Sequence, residues 1–159
     1  MIRFVEDANE REAIASTLLS GLPEWFGLPE STQNYVKGSR SLPMWTYERG
    51  GVPVGFIVLR ETSAVTVEIW VMGVRKEAQH SGVGTSLWQE CLRYARQKRY
   101  AYAQVKTVQM GRYPEYDATN RFYQHLGFQE FECFPTLWDE WNPCQIYVQA
   151  IGPTAVSDQ

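Results

Sequence analysis

Residues 44–99 change hydrophobic period once, and that change restricts the fold more than any other feature of the chain. Three apolar runs, 44–49, 52–61 and 65–74, have strand length and are rich in Val, Ile, Trp and Thr. Gly50-Gly51 between the first two is a hairpin signal, and Ser63-Ala64 makes a weaker turn into the third. Turns this short allow only an antiparallel meander. From residue 82 to 99 the period becomes helical, with Leu87, Trp88, Cys91, Leu92 and Ala95 on one stripe and Arg96, Lys98 and Arg99 at the end that favours cations. Residues 102–108 read as a strand again. A strand, a helix and a strand in this order predict a right-handed parallel crossover.

The flanks complete a two-layer pattern. Residues 2–5 predict a first strand. Asn9 and Glu12 have capping-box spacing for a helix with Ile14 and Leu18 on one face, ended by Gly21 and Pro23. Residues 22–30 read as an apolar, proline-broken loop. Ser31 is a capping residue for a second short helix that reaches Lys37 and stops at Gly38. Asp117 caps another, with Phe122, Tyr123 and Leu126 inward and Gly127 after it. Runs 128–131 and 145–151 predict two last strands. The order βα(α)βββαβαββ gives an α/β class, one mixed α+β sheet with helices on its faces. Residues 1–151 are expected to form one domain, and 152–159 a loose tail.

The 159 residues carry fifteen Lys and Arg against eighteen Asp and Glu, a net charge of −3 with no basic block. Nothing here suits a nucleic-acid backbone. Cys91, Cys133 and Cys144 are odd in number, widely spaced and without a CxxC, which disfavours a disulfide framework or a metal site. No apolar run approaches the roughly 20 residues of a membrane helix, and Met1 is not followed by a basic and then apolar leader. A soluble chain in a reducing cytoplasm is expected.

The chemistry concentrates between residues 65 and 86. Gly82 and Gly84 stand at a strand-to-helix junction, where unpaired backbone N–H groups meet the positive end of the helix dipole and favour an anion. No Lys follows Gly84, so a P-loop fails, and Leu87 occupies the third glycine of a dinucleotide fingerprint. A longer pattern succeeds. Val74, four residues, then Gln79-x-x-Gly82-x-Gly84 resembles the signature of the GNAT N-acetyltransferase superfamily, and Tyr123-Gln-His-Leu-Gly127-Phe128 resembles that family's Tyr-x-x-Leu-Gly-Phe element. The element order over residues 2–151 is similar too.

This resemblance implies acetyl-CoA as the acetyl donor. Gln79, His80, Ser81, Gly82, Val83, Gly84 and Thr85 would wrap its pyrophosphate. Met72, Gly73 and Val74 would form the bulged end of the central strand, where the sheet splays and freed backbone groups meet the pantetheine arm and thioester. Many family members carry an Asn about seven residues before the Tyr; that position is Tyr116 here, and Asn120 one turn later is the candidate CoA contact. A homodimer is a family habit.

The reaction that the resemblance implies is attack of an amine on a thioester, so a proton must leave the amine and a thiolate must be accommodated. Glu68, six residues before Val74 in an apolar strand, is the candidate base, acting directly or through water. Alternation puts it on one face with Trp70 and Met72. Tyr123 is the candidate acid for the leaving thiolate. The bland readings are a salt-bridged Glu on a sheet face and a core Tyr. The early loop and the late strands hold Trp25, Phe26, Trp138 and Trp141 with Glu24, Asp139 and Glu140, a composition that suits a cationic amine, or else a satellite cluster or dimer surface. A small amine is the expected acceptor, with a protein lysine or N-terminus, or a non-catalytic acyl-CoA-binding role, as alternatives.

Overall fold

A computed structural model describes residues 1–152. Its elements run β1 (Ile2–Val5), α1 (Ala8–Ser20), α2 (Pro29–Gly38), β2 (Met44–Arg49), β3 (Val52–Ser63), β4 (Thr66–Val74), α3 (Val83–Gln97), β5 (Tyr102–Val108), α4 (Pro114–His125), β6 (Gln129–Asp139) and β7 (Asn142–Ala150), with single 3₁₀ turns at Ser39–Ser41 and Lys76–Ala78. The strands form one seven-stranded sheet in the order β1-β2-β3-β4-β5-β7-β6. The β4–β5 pair is parallel, as the crossover requires, while β1–β2, β2–β3, β5–β7 and β6–β7 are antiparallel.

Two compact units divide the chain, Met1–Arg60 with Trp70–Cys91, and Glu61–Ile69 with Leu92 onward. In the first, α1 lays Ile14, Ala15, Leu18 and Leu19 on a floor of Val5, Met44, Phe56, Val58 and Val71, with Val36 from α2. Each fully buried Leu, Ile or Phe contributes roughly 1.5–3 kcal/mol. Arg3 binds Glu48 at 3.0 Å and also pairs with Glu10, tying β1 to β2 and α1. In the second unit β5 pairs with β7 over seven residues, Tyr102↔Ala150 to Val108↔Cys144, and β6 folds back on β7 as a long hairpin with irregular register between Phe134 and Asp139.

Several local expectations move. The α1 cap is Asp7, whose carboxylate accepts the Glu10 N–H at 2.8 Å, so Asn9 lies within the helix. Asp and Asn cap equally well, and only the direction of entry from β1 selects between them. Pro29 starts α2 with Leu28 in the capping place and no side-chain cap, so Ser31 is inside it. Likewise Pro114 starts α4, and Asp117 instead accepts the Gly111 N–H at 2.7 Å, bracing the preceding loop. Proline presets the helical φ at a first position whose N–H has no intrahelical partner. Strand β6 extends to Asp139, past Pro135, well beyond the 128–131 run. That proline is tolerated because β6 is the last strand of the sheet. The tail expected from residue 152 lies, apart from Gly152, outside the described residues.

Candidate active site

The first unit carries the candidate anion-binding loop. Strand β4 ends at Val74, and its carbonyl accepts the Gln79 side-chain amide at 3.0 Å, closing residues 75–78 into a tight exit. His80 then takes φ 60° and Gly82 φ 90°. Left-handed residues close together turn successive N–H groups toward one concavity, a nest suited to an anion. A Cβ at Gly82 would meet open space, so its φ rather than crowding accounts for the glycine. The first intrahelical bond of α3 runs from the Ser86 N–H to the Gly82 carbonyl at 3.0 Å. The N–H groups of Val83, Gly84 and Thr85 are thus the unspent donors of a helix start. The Ser81 hydroxyl donates to the Ala78 carbonyl and accepts from Arg49 at 3.0 Å. Arg49 was not singled out from the sequence, since only the β2–β3 hairpin brings this exposed cation to the loop.

Gly73 has an ordinary φ. A Cβ there would press on Leu22 at 3.0 Å and Phe56 at 3.2 Å, so the glycine serves close packing beneath α1. Trp70 and Val71 are consecutive, yet both join the α1–α2 cluster, a break in strict alternation. Met72 and Val74 are half-buried.

Trp70 also ends an aromatic chain. Phe26 meets Tyr35 edge-on at 6.0 Å, and Tyr35 meets Trp70 at 5.0 Å. Gly38 lies directly under the Trp70 indole, where an added methyl would overlap the ring. Gly38→Ala is therefore expected to displace Trp70 and cost about 1–3 kcal/mol by overpacking, read as a lower denaturation midpoint and a shifted tryptophan emission. Trp25 is half-buried in the same loop. Glu24 is already bound to Lys76 at 2.6 Å, and that hydrogen bond lowers its pKa.

The second unit holds the candidate acid and base, on opposite faces of its strands. Glu68 stands opposite Gln104 in the β4–β5 ladder, 3% exposed, and its Oε2 is 3.0 Å from Lys106 Nζ. Strand alternation puts Gln104 and Lys106 on that one face. Lys106 went unnoticed in sequence because nothing local ties it to a residue 38 positions away. Glu68 is thus salt-bridged, and the bridge holds its buried carboxylate toward β5.



Tyr123 belongs to the other face. Val105 faces Tyr147 across the β5–β7 ladder, and the Tyr147 hydroxyl donates to Asn120 of α4 at 2.6 Å, so this is the face that α4 covers. Tyr123 is 7% exposed and packs against Phe128 at 6.0 Å and Tyr147 at 6.5 Å. Asn120 is wholly buried. Its amide donates to the Val108 carbonyl at 2.8 Å and the Tyr116 carbonyl at 2.7 Å, while its oxygen accepts from Tyr147. Both ends of that side chain are occupied by the protein, and they fasten α4 to the end of β5. Burial raises the Tyr147 pKa, with the Glu130 carboxylate adding to it.

Cys144 is fully buried on the Glu68 face. Burial pushes its thiol up to about 11, Lys106 pulls it down in part, and Cys133 and Glu68 raise it further. Trp138 and Trp141 sit at the tip of the β6–β7 hairpin, 44% and 71% exposed. Asp139 is spent on the turn, accepting from the Trp141 and Asn142 N–H groups at 2.9 Å. The four candidate acceptor aromatics thus divide between the units, Trp25 and Phe26 in the first and Trp138 and Trp141 in the second.

A strand-to-helix anion loop, a mixed sheet with one parallel pair and a buried Tyr on the last helix define an acyltransferase fold. The model of the acetyltransferase (GNAT) domain matches residues 40–130, more than half of the chain, and the chain belongs to that family. Similar solved structures include a GNAT-family protein from Desulfovibrio desulfuricans, 15% identical over 96% of this chain and 100% of that one, with a TM-score of 0.81. An aminoglycoside 6′-N-acetyltransferase complexed with coenzyme A is 14% identical over 95% of this chain and 98% of its own, with a TM-score of 0.73. A Salmonella typhimurium protein solved with its cofactor acetyl-CoA is 19% identical over 99% and 97%, again with a TM-score of 0.73. No curated protein is a detectable sequence match to the chain. Among the described residues no helix is long and apolar enough to cross a membrane.

Proposed function

We propose that this acetyltransferase moves the acetyl group of acetyl-CoA to a primary amine, a small molecule in the simplest case, by direct attack with Glu68 as base and Tyr123 as acid. The observation that carries the reading is the placement of a buried carboxylate and a buried phenol on opposite faces of the same strands. In the tetrahedral intermediate the amine nitrogen and the thioester sulfur leave the carbon in different directions. A base on one face and an acid on the other therefore serve both atoms without competing.

The nest around His80 and Gly82, the open N–H groups of Val83 to Thr85 and the Arg49 guanidinium fit the phosphates of the donor. Lys106 holds Glu68 in place, and its own charge offsets the cost of burying the carboxylate. A covalent acetyl-cysteine route is disfavoured, because burial keeps the Cys144 thiol protonated at neutral pH. Cytoplasmic residence belongs to the same proposal and rests on three free thiols.

Thiol release from acetyl-CoA across a panel of small amines and basic peptides tests the reading. Turnover with at least one amine supports it, and a protein that binds acetyl-CoA but acetylates nothing in the panel is a binding module. Tyr123→Phe is expected to lower turnover about tenfold or more while leaving the fold intact; equal activity across pH would remove Tyr123 as the acid. A peptide acceptor is the second reading. It is favoured by the exposed hairpin tip, where Trp138 and Trp141 flank Asp139 and Glu140 and where no Lys or Arg follows Arg121 anywhere in the sequence.

A further inference from the structure

Thr107 has a hydroxyl with no assigned work. The residue is 4% exposed, and its Oγ1 is buried without a hydrogen-bond partner among the described residues. An unsatisfied buried hydroxyl costs roughly 1–3 kcal/mol, so its retention asks for a reason. A valine would fill the same volume in a strand at no such cost.

Its position supplies one. Alternation along β5 places Ala103, Val105 and Thr107 on one face, opposite Gln149, Tyr147 and Gln145 of β7. This is the face covered by α4. Tyr147 binds Asn120, Gln149 donates to the Leu126 carbonyl at 3.1 Å, and the Val108 carbonyl, one residue past Thr107, receives Asn120. Tyr123 lies on α4 over the same strands. The β4–β5 ladder is recorded as far as Ile69↔Val105, so Thr107 is two residues beyond its last pair. The orphan hydroxyl, the end of the ladder and the candidate acid therefore all belong to one unit, with Thr107 and Tyr123 on the same side of its strands.

We propose that the Thr107 hydroxyl donates a hydrogen bond to the thioester sulfur of the acetyl donor and stabilises the thiolate as it leaves. The inference rests on the reading that Tyr123 serves that sulfur. The amine lone pair forms the C–N bond, and the C–S bond breaks with its electron pair leaving on sulfur. The Thr107 proton stays on its oxygen throughout. Tyr123 supplies the proton that the thiolate takes up, and Glu68 receives the one the amine loses. The neighbours on this face are phenols and amides, namely Tyr123, Tyr147, Asn120, Gln145 and Gln149, with Glu130 opposite Tyr147 as the nearby carboxylate. In such surroundings a fixed donor aimed at developing negative charge acts far more strongly than in water.

The test compares Thr107→Val with Thr107→Ser in three measurements: thermal stability, turnover at saturating donor, and the ultraviolet thiolate absorbance of bound coenzyme A against pH. Thr107→Val is expected to melt at the same temperature or higher, to lose about tenfold to a hundredfold in turnover, and to hold coenzyme A with a thiol that ionises at higher pH than in the parent. Thr107→Ser is expected to restore both. A Thr107→Val protein that gains stability and keeps its turnover and its thiol titration overturns the proposal, because the hydroxyl is then only a buried orphan. Loss of stability together with loss of coenzyme A binding overturns it too, as a structural role. The thiol titration needs no acceptor, so a failed amine panel leaves this test standing. If Tyr123→Phe has no effect while Thr107→Val does, the acid assignment fails and Thr107 alone serves the sulfur.

Discussion

Glu68→Gln is expected to lower turnover by roughly 10²–10⁴ while leaving the dissociation constant for acetyl-CoA unchanged. The amide keeps the size and shape of the carboxylate and can still receive a hydrogen bond from Lys106, so the strand pair should survive. What it loses is the ability to take a proton. The experiment separates a base from a structural ion pair through its two readouts. Steady-state turnover at saturating donor must fall, and isothermal titration with coenzyme A must not move. If turnover is unchanged, Glu68 is a salt-bridged sheet residue and nothing more. If stability falls steeply along with activity, the Lys106 pair is the dominant role.

The second large effect is structural. Asn120→Ala is expected to destabilise the fold by about 3 kcal/mol, because it removes three buried hydrogen bonds in one step, those to the Val108 and Tyr116 carbonyls and the one from Tyr147, and leaves the Tyr147 hydroxyl only Gln124 at 3.4 Å. In a chain of this size that is a fall of roughly 6–12 °C in Tm. Binding of coenzyme A, measured well below the new midpoint, should change little, since both ends of the Asn120 amide are already occupied within the protein. The opposite outcome, unchanged Tm with tenfold weaker binding, would make Asn120 a contact of the acetyl donor. Its position in the sequence, one turn past the place where many relatives carry an Asn, made it a candidate for that contact. The buried network around it could be seen only once α4 was laid on β5.

The limits of the sequence follow from the range over which each interaction acts. Strand and helix periods, the hairpin at Gly50-Gly51, the parallel crossover and the glycine-bearing helix start are all written in neighbours a few residues apart, and the family signature is a spacing of the same kind. Those features were legible from residues 44–128 alone. Helix starts were misplaced at Asn9, Ser31 and Asp117, since several good capping residues compete and tertiary entry geometry chooses among them. Glu68 became a candidate because a carboxylate in an apolar strand is conspicuous. Lys106, Arg49 and Thr107 were not, because each is unremarkable beside its own neighbours. They matter through partners brought near by pairing of distant strands, or, for Thr107, through the lack of one.

The amino-acid sequence by itself determined the order of elements, the family and the glycine-bearing turn that opens α3, since backbone sterics and hydrophobic period operate locally. Only the tertiary structure decided which face each side chain serves. Strand register put Glu68 with Lys106 on one side and Tyr123, Tyr147 and Asn120 on the other, because a two-residue period turns a register into a choice of face, and register is set by residues far away in the chain.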